Sequence, residues 1–262
     1  MATTVTIRPL VQARVVDLGS TGHPLSWYQA VRAAGYVGIL LDCMTPGWDR
    51  DYAAALEAGL AVGVFQGYYV PDWATGPAGA AQRARDAVAQ VEAVGYPKGA
   101  LIWLDSESWG AVPAAACIAW INAWSQTIRQ AGYVDGLYVG AGTPLTADEL
   151  YQALLTEHYW KSCSQVPPVP QRGYQILQTC GVVVAGVHVD VDWVQADALG
   201  GQPLFVVPAA APATAPDPVA ALSQEVAALK AALTALQATA VTRQDLTAWL
   251  TQGVQRFTPG AP

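Results

Sequence analysis

Charge is scarce in this chain: Asp, Glu, Lys and Arg together make up 13% of its 262 residues. Lysine occurs at Lys98, Lys161 and Lys230 alone, far apart, and the net charge is −7. Nonspecific nucleic-acid binding needs clustered cations to neutralise phosphates, so that class is excluded. The three histidines, His23, His158 and His188, are dispersed, with no HxH or HExxH. The four cysteines, Cys43, Cys117, Cys163 and Cys180, form no CxxC. A zinc site is therefore not expected. The cysteines read as buried free thiols, with a Cys163–Cys180 bridge left open. No apolar run reaches the roughly 18 residues of a membrane span. The opening "MATTVTIRPLVQARVVDL" lacks a basic segment followed by a long apolar one, so no ordinary signal peptide is expected.

What is abundant is apolar: 53% of residues are hydrophobic, enough to bury a sizeable core. Short apolar runs alternate with helical periodicity. Strands are predicted at 13–18, 37–43, 61–70, 100–107, 136–142, 157–163, 173–179 and 187–194. Helices are predicted at 24–36, 51–60, 77–95, 113–133 and 147–155. Apolar strands alternating with amphipathic helices indicate a parallel sheet covered by helices. Eight strands in about 200 residues suit an irregular (β/α)8 TIM-type barrel over residues 1–205. An open doubly wound sheet is disfavoured, because no glycine-rich phosphate loop follows the first strand. The last three strands have little helix between them, so irregularity is expected there.

Composition changes near residue 205. Residues 206–220 read as a semi-rigid Ala/Pro linker. Beyond it, over 221–262, Leu222, Val226, Leu229, Leu233, Leu236 and Ala240 follow a short heptad seam. That coiled-coil-like helix is expected either to make a homodimer or homotrimer through residues 222–240 or to pack back on the barrel. "TRQD", with Thr242 and Asp245, looks like the start of a further short helix.

The stretch "LIWLDSESWG" carries the chemistry. In a parallel barrel the functional face is at the C-terminal strand ends, and four predicted strands carry acids there. These are Asp17, Asp42, the pair Asp105 and Glu107, and the pair Asp190 and Asp192. Residues two apart on a strand share a face, so Asp105 and Glu107 can both point into the barrel mouth. Neighbouring carboxylates repel and raise one pKa, which is the arrangement glycosidic cleavage uses. Asp42, before "CMTPGWDR", is the weakest member and suits loop shaping. Clustered acids can also bind metal, but no histidine motif supports a metal here, and no cofactor is expected. Aromatics accompany the acids: Tyr68 and Tyr69, then Trp73, with Tyr138 and Trp160 on later strands. Their flat rings suit stacking on sugars, whereas Trp120 and Trp124, at i and i+4 of a helix, read as core.

"RVVDLGS", "GVFQGYYV", "IWLDSES" and "GYQILQT…VHVDVDWV" occur in an order that resembles the glycoside hydrolase family 25 lysozymes. The likeness is closer to the related glycoside-hydrolase-like domain of unknown function family 1906 of actinobacteria and their phages. It covers roughly residues 10–200. The resemblance implies that Glu107 is the general acid and that Asp105 stabilises positive charge or orients the substrate's acetamido group. Asp17 and Asp190 would complete an acidic floor. Tyr69 would line the sugar cleft, with Tyr68, Tyr138, Trp160, Asp192 and Gln175 as further substrate contacts. It implies peptidoglycan as substrate. Two departures stand out: "VDVDW" puts Asp192 where such lysozymes usually carry Asn, and Ser106 replaces an apolar residue between the central acids.

Two functions are therefore expected, a muramidase-like enzyme or a phage tail or fibre protein that binds cell-wall glycan through the barrel. The second would assemble through the C-terminal helix, with other virion proteins as partners. Without a leader, either product would be virion-associated or released from the host cytoplasm to the cell wall.

Overall fold

The computed structural model describes residues 4–67 and 70–209. The predicted linker beyond residue 209 and the whole C-terminal helix, including the 222–240 seam, lie outside the described residues.

The chain begins with a strand that sequence periodicity did not announce, β1 (Val5–Pro9). Then follow β2 (Ala13–Leu18), α1 (Leu25–Ala33), β3 (Gly38–Asp42), α2 (Trp48–Glu57) and β4 (Ala61–Gln66). A 3-10 turn (Val70–Thr75) leads into α3 (Gly76–Ala93), β5 (Leu101–Ser106), α4 (Ala114–Gln130) and β6 (Val134–Val139). The last elements are α5 (Ala147–Gln152), β7 (Tyr159–Lys161), β8 (Ile176–Val184), β9 (Val187–Val194) and β10 (Leu204–Pro208).

Strands β2 to β9 close into an eight-stranded barrel, because β4 pairs with both β3 and β5. Strands β2 to β8 run parallel. Strand β9 is antiparallel to both of its neighbours, β2 and β8. The irregularity expected among the last three strands is thus a reversed strand, and it corrects the placing of Asp190 and Asp192: they do not end a parallel strand but enter the barrel from the mouth downward. The reason is the connection. Only Ala185 and Gly186, both at positive φ, separate β8 from β9, and a two-residue turn of that kind joins antiparallel strands.

Burial explains the remaining elements. Every residue of β4 is buried, as expected of a parallel strand covered on both faces. Helix α3 opens with Pro77 in its first turn and buries Ala80, Ala84, Ala87 and Val91, a 4-3-4 stripe of small side chains. It packs against α4, which buries Cys117, Trp120, Ile121, Trp124 and Ile128. Trp120 and Trp124 are thus core, as expected. Cys43 and Cys117 are buried free thiols, while Cys163 and Cys180 are joined. The expectation of four free thiols therefore holds for two of them. Among the described residues no helix is long and apolar enough to cross a membrane.

Inside the barrel, Ala13, Val15, Leu40, Leu101, Trp103 and Trp160 belong to a second apolar cluster distinct from the strand–helix core. Phe205, from β10, joins that cluster and is fully buried, and Val206 pairs with Val62 of β4. The barrel therefore does not end at residue 205: the predicted linker loses Val206, Val207 and Pro208 to β10, held by β1. A chain ending at residue 203 is expected to melt about 10 °C below one ending at residue 209, since losing a buried Phe costs about 3–5 kcal/mol. Equal melting temperatures by calorimetry would contradict this boundary.

Candidate active site

Alternation along the strands builds the mouth. Ala13 and Val15 lie in the lumen, so Asp17, two further on, faces inward at the rim; Leu101 and Trp103 do the same for Asp105. Asp17 lies opposite Asp190 in the β2–β9 ladder, and Asp105 beside Tyr138 in the β5–β6 ladder. A cleft of about 200 Å³ results, lined by Asp17, Asp105, Glu107 and Asp190, with Tyr138 and Gln178 beside them and Phe65 and Trp160 beneath. A neighbouring hollow of about 240 Å³ shares Asp17, Gly19 and Asp190 and continues onto Ser20 and His188. Four acids from three regions of the chain, all predicted as site residues, thus meet at one place.

Glu107 lies just beyond β5, and tryptophans hold its backbone. Its carbonyl accepts a hydrogen bond from Trp73 Nε1 at 2.9 Å. Trp73 stacks on Trp109, with centroids 3.9 Å apart and planes 16° apart, and Trp109 Nε1 donates to Ser106 Oγ at 2.9 Å. Ser106, the departure between the two acids, is therefore an anchor on the outer face of β5. Trp73 and Trp109 are 4% and 2% exposed and serve as scaffold, not as sugar platforms. The next residue, Ser108, has φ 55° and donates its N–H to Ala141 O at 2.8 Å. Across from it, Gly140 leaves room for the acid: a Cβ there would lie 2.3 Å from Glu107 Cβ and 2.7 Å from Oε2. Gly140→Ala is therefore expected to displace Glu107 and to melt about 5 °C below wild type, the cost of overpacking against its Cβ. The 13C shift of the Glu107 carboxyl reads this; an unmoved resonance would contradict the packing.

Asp17 accepts from Gln178 Nε2 at 2.8 Å through Oδ2. Its Oδ1 is buried with no hydrogen-bond partner among the described residues. Burial above all, opposed by the Gln178 hydrogen bond and reinforced by Asp190, Asp42 and Glu107, pushes its carboxyl up to about 7. Tyr138 donates its hydroxyl to Gln178 Oε1 at 2.9 Å. Burial and the charges of Glu107, Asp105 and Asp17 push the phenol up, so it stays a neutral donor. Asp190 Oδ1 accepts from Gly181 N at 2.9 Å.

Three expected site residues are placed elsewhere or in another role. Asp192 is fully buried one layer below the rim, with Oδ1 accepting from Trp160 Nε1 at 2.7 Å. Burial and the nearby Asp17 raise its carboxyl well above the usual range. It cannot touch a substrate; two residues down an antiparallel strand is two residues deeper. Gln175 precedes β8 at the opposite, N-terminal end of the parallel strands. There its amide bridges His158 Nδ1 and Asp197 Oδ2, each at 2.8 Å. The residue that reaches the cleft is Gln178, on the face shared with Ile176. Trp160, only 1% exposed and edge-on to Tyr138, is a floor under the cleft. Asp42 folds back on its own loop, accepting from Met44 N at 2.9 Å, Gly67 N at 3.0 Å and Thr45 Oγ1 at 2.7 Å. Tyr68 and Tyr69 lie outside the described residues. Among the described residues no group of three or more His, Cys, Asp or Glu is arranged to hold a metal ion.

Comparison with known proteins places this geometry. The chain is similar in structure to an uncharacterized protein of B. stearothermophilus, at 22% identity over 70% of this chain and 96% of that one, TM-score 0.56. It is likewise similar to the Tat-secreted protein Rv2525c of Mycobacterium tuberculosis, solved with HEPES, at 20% identity over 73% and 98% of the two chains, TM-score 0.56. The modular autolysin LytC of Streptococcus pneumoniae, solved with a synthetic peptidoglycan ligand, shares 14% identity over 69% of this chain and 46% of its own, TM-score 0.50. These likenesses show the fold. No curated protein is similar enough to the chain to count as a match. Residues 29–198 match the family model of the Rv2525c-like, glycoside hydrolase-like domain, and the chain belongs to that family.

Proposed function

We propose that the chain is a peptidoglycan-directed glycoside hydrolase that cuts the glycan strand by carboxylate chemistry. The observation that carries this reading is the gathering of Asp17, Asp105, Glu107 and Asp190 in one cleft beside the neutral hydroxyl of Tyr138. The family and the fold shared with a peptidoglycan-binding autolysin support it.

In this reading Glu107, on the rim and held by Trp73 and Gly140, delivers a proton to the leaving glycosidic oxygen. The C–O bond breaks with positive charge building on the sugar ring, and Asp105 stabilises that charge or orients the acetamido group. Water then attacks the anomeric carbon and returns a proton to the acid. Asp17, with its carboxyl pushed up to about 7, is partly protonated near neutral pH, which lowers the negative charge that a wholly ionised quartet would concentrate. The bond between N-acetylmuramic acid and N-acetylglucosamine is the proposed site of cleavage. Wild-type protein incubated with purified actinobacterial walls is expected to release new reducing ends; a wall suspension that neither clears nor gains reducing ends would refute the enzyme.

Assembly into a virion tail or fibre and delivery to the wall are proposals that rest on residues 222–240. Mass measurement of the full chain against one ending at residue 209 tests them: an oligomer in the first alone supports assembly, and two monomers refute it.

A further inference from the structure

Gln178 sits where the barrel's backbone pairing gives out. The β7–β8 ladder ends at Lys161↔Leu177, one residue before it. The β8–β9 ladder lapses after Thr179 and resumes at Val182, with Gly181 at φ 72° in the gap. Residues 179–181 are exposed. Pairing with β7 thus ends beside this residue, and pairing with β9 lapses after the next one. Yet its amide is the hub of the cleft. Oε1 accepts from Tyr138 Oη at 2.9 Å and from the backbone N–H of Cys163 at 3.2 Å, while Nε2 donates to Asp17 Oδ2 at 2.8 Å. Two donors on one side and a carboxylate on the other allow one orientation of the amide only.

One of those donors belongs to a cystine. Cys163, beyond the end of β7, is bonded to Cys180, two residues after Gln178, with Cα atoms 5.8 Å apart. The cross-link thus spans the gap that both ladders leave and brings the Cys163 N–H onto the Gln178 amide. Both half-cystines are exposed, so the bridge adds no apolar core.

We infer that Gln178 is the positioning residue of the cleft and that the Cys163–Cys180 disulfide exists to hold its amide between Asp17 and Tyr138. For the identity of the ligand the inference rests on the glycan reading above; for the positioning it does not. Breaking the bridge consumes two electrons and two protons and yields two thiols, freeing the Cys163 loop from the bulge. The amide then has no fixed donor on its Cys163 side, Asp17 loses a hydrogen bond that favours its ionised form, and Tyr138 loses its acceptor.

The full chain is compared as wild type, Gln178→Leu, Cys163→Ser/Cys180→Ser, and wild type reduced by dithiothreitol under folding conditions, which covers the case in which the double variant does not fold. The 13C titration of the Asp17 carboxyl is expected to rise above its starting point of about 7 in all three altered proteins, by roughly half a unit or more. Binding of a chitotetraose probe is expected to weaken about fivefold, near 1 kcal/mol. A cross-link-free protein that melts lower but keeps the Asp17 titration and the probe affinity of wild type would overturn the proposal, leaving the bridge a plain staple. If wild type fails to bind chitotetraose while the Asp17 titration moves as stated, the positioning role stands and the glycan reading falls.

Discussion

Glu107→Gln is expected to lower the release of reducing ends from purified walls by a factor of about 100 or more, the range a general acid contributes. Its melting temperature should stay within about 2 °C of wild type. The amide keeps the shape of the side chain, and the contacts that hold this segment run through backbone and neighbours: Trp73 to the Glu107 carbonyl, Trp109 to Ser106, Ser108 to Ala141. Gln cannot give up a proton, so chemistry is lost while geometry is kept. Asp105→Asn is expected to fall as well. A Glu107→Gln protein with unchanged activity would move the acid role elsewhere in the cleft.

The second large effect is on stability. Asp17 has its folded carboxyl raised to about 7 against an ordinary value of 3.8. Below the ordinary value both folded and unfolded chains are protonated, and the group contributes nothing to pH dependence. Between the two values the folded chain binds a proton that the unfolded chain does not, so stability falls as pH rises through about 4 to 7 and then levels off. Asp192, raised in the same direction, adds to the trend. Asp17→Asn keeps an oxygen for the Gln178 amide and removes the charge. The variant should therefore be more stable than wild type above pH 7, by on the order of 2 kcal/mol, and gain little at pH 3. Calorimetry at pH 3, 5 and 8 checks this; a variant less stable than wild type at pH 8 would show that the Asp17 charge is compensated in the folded state. Stability given up at a cleft of acids is itself a functional signature.

Much of this architecture could be read from residues alone. The strand at 13–18 and the one at 187–194 coincide with β2 and β9, because alternation and bounded apolar runs carry both extent and face. The acids were legible as a group for the same reason: Asp17 and Asp105 are in phase with Val15 and Trp103, so inward-facing core residues predict inward-facing rim acids. Strand direction was less visible. Ending the seventh strand at 179 treated "GVVVAG" as a connection, whereas β8 runs to Val184 and leaves only Ala185 and Gly186 to turn. That short Ala-Gly turn was the available sign that β9 runs backward and that Asp192 lies deep. Gln175 and Gln178 differ by three positions and hence face opposite sides of a strand; choosing between them needs the register, which Ile176 in the lumen supplies. Strands β1 and β10 were missed because each pairs with a partner about 200 residues away, a contact no local window contains. The disulfide was open for the same reason: its partners are brought together by adjacent parallel strands, not by spacing.

Hydrolysis in water enriched in oxygen-18 tests the central claim most directly. If the cleft cuts glycan, mass spectrometry of fragments released from purified walls will find one heavy oxygen at each new reducing end with wild type, and about a hundredfold fewer such ends with Glu107→Gln. Fragments from wild type that carry no label would mean that the bond breaks without water, and no fragments at all would mean that the gathered carboxyl groups do not cut the glycan; either result contradicts hydrolysis at this cleft.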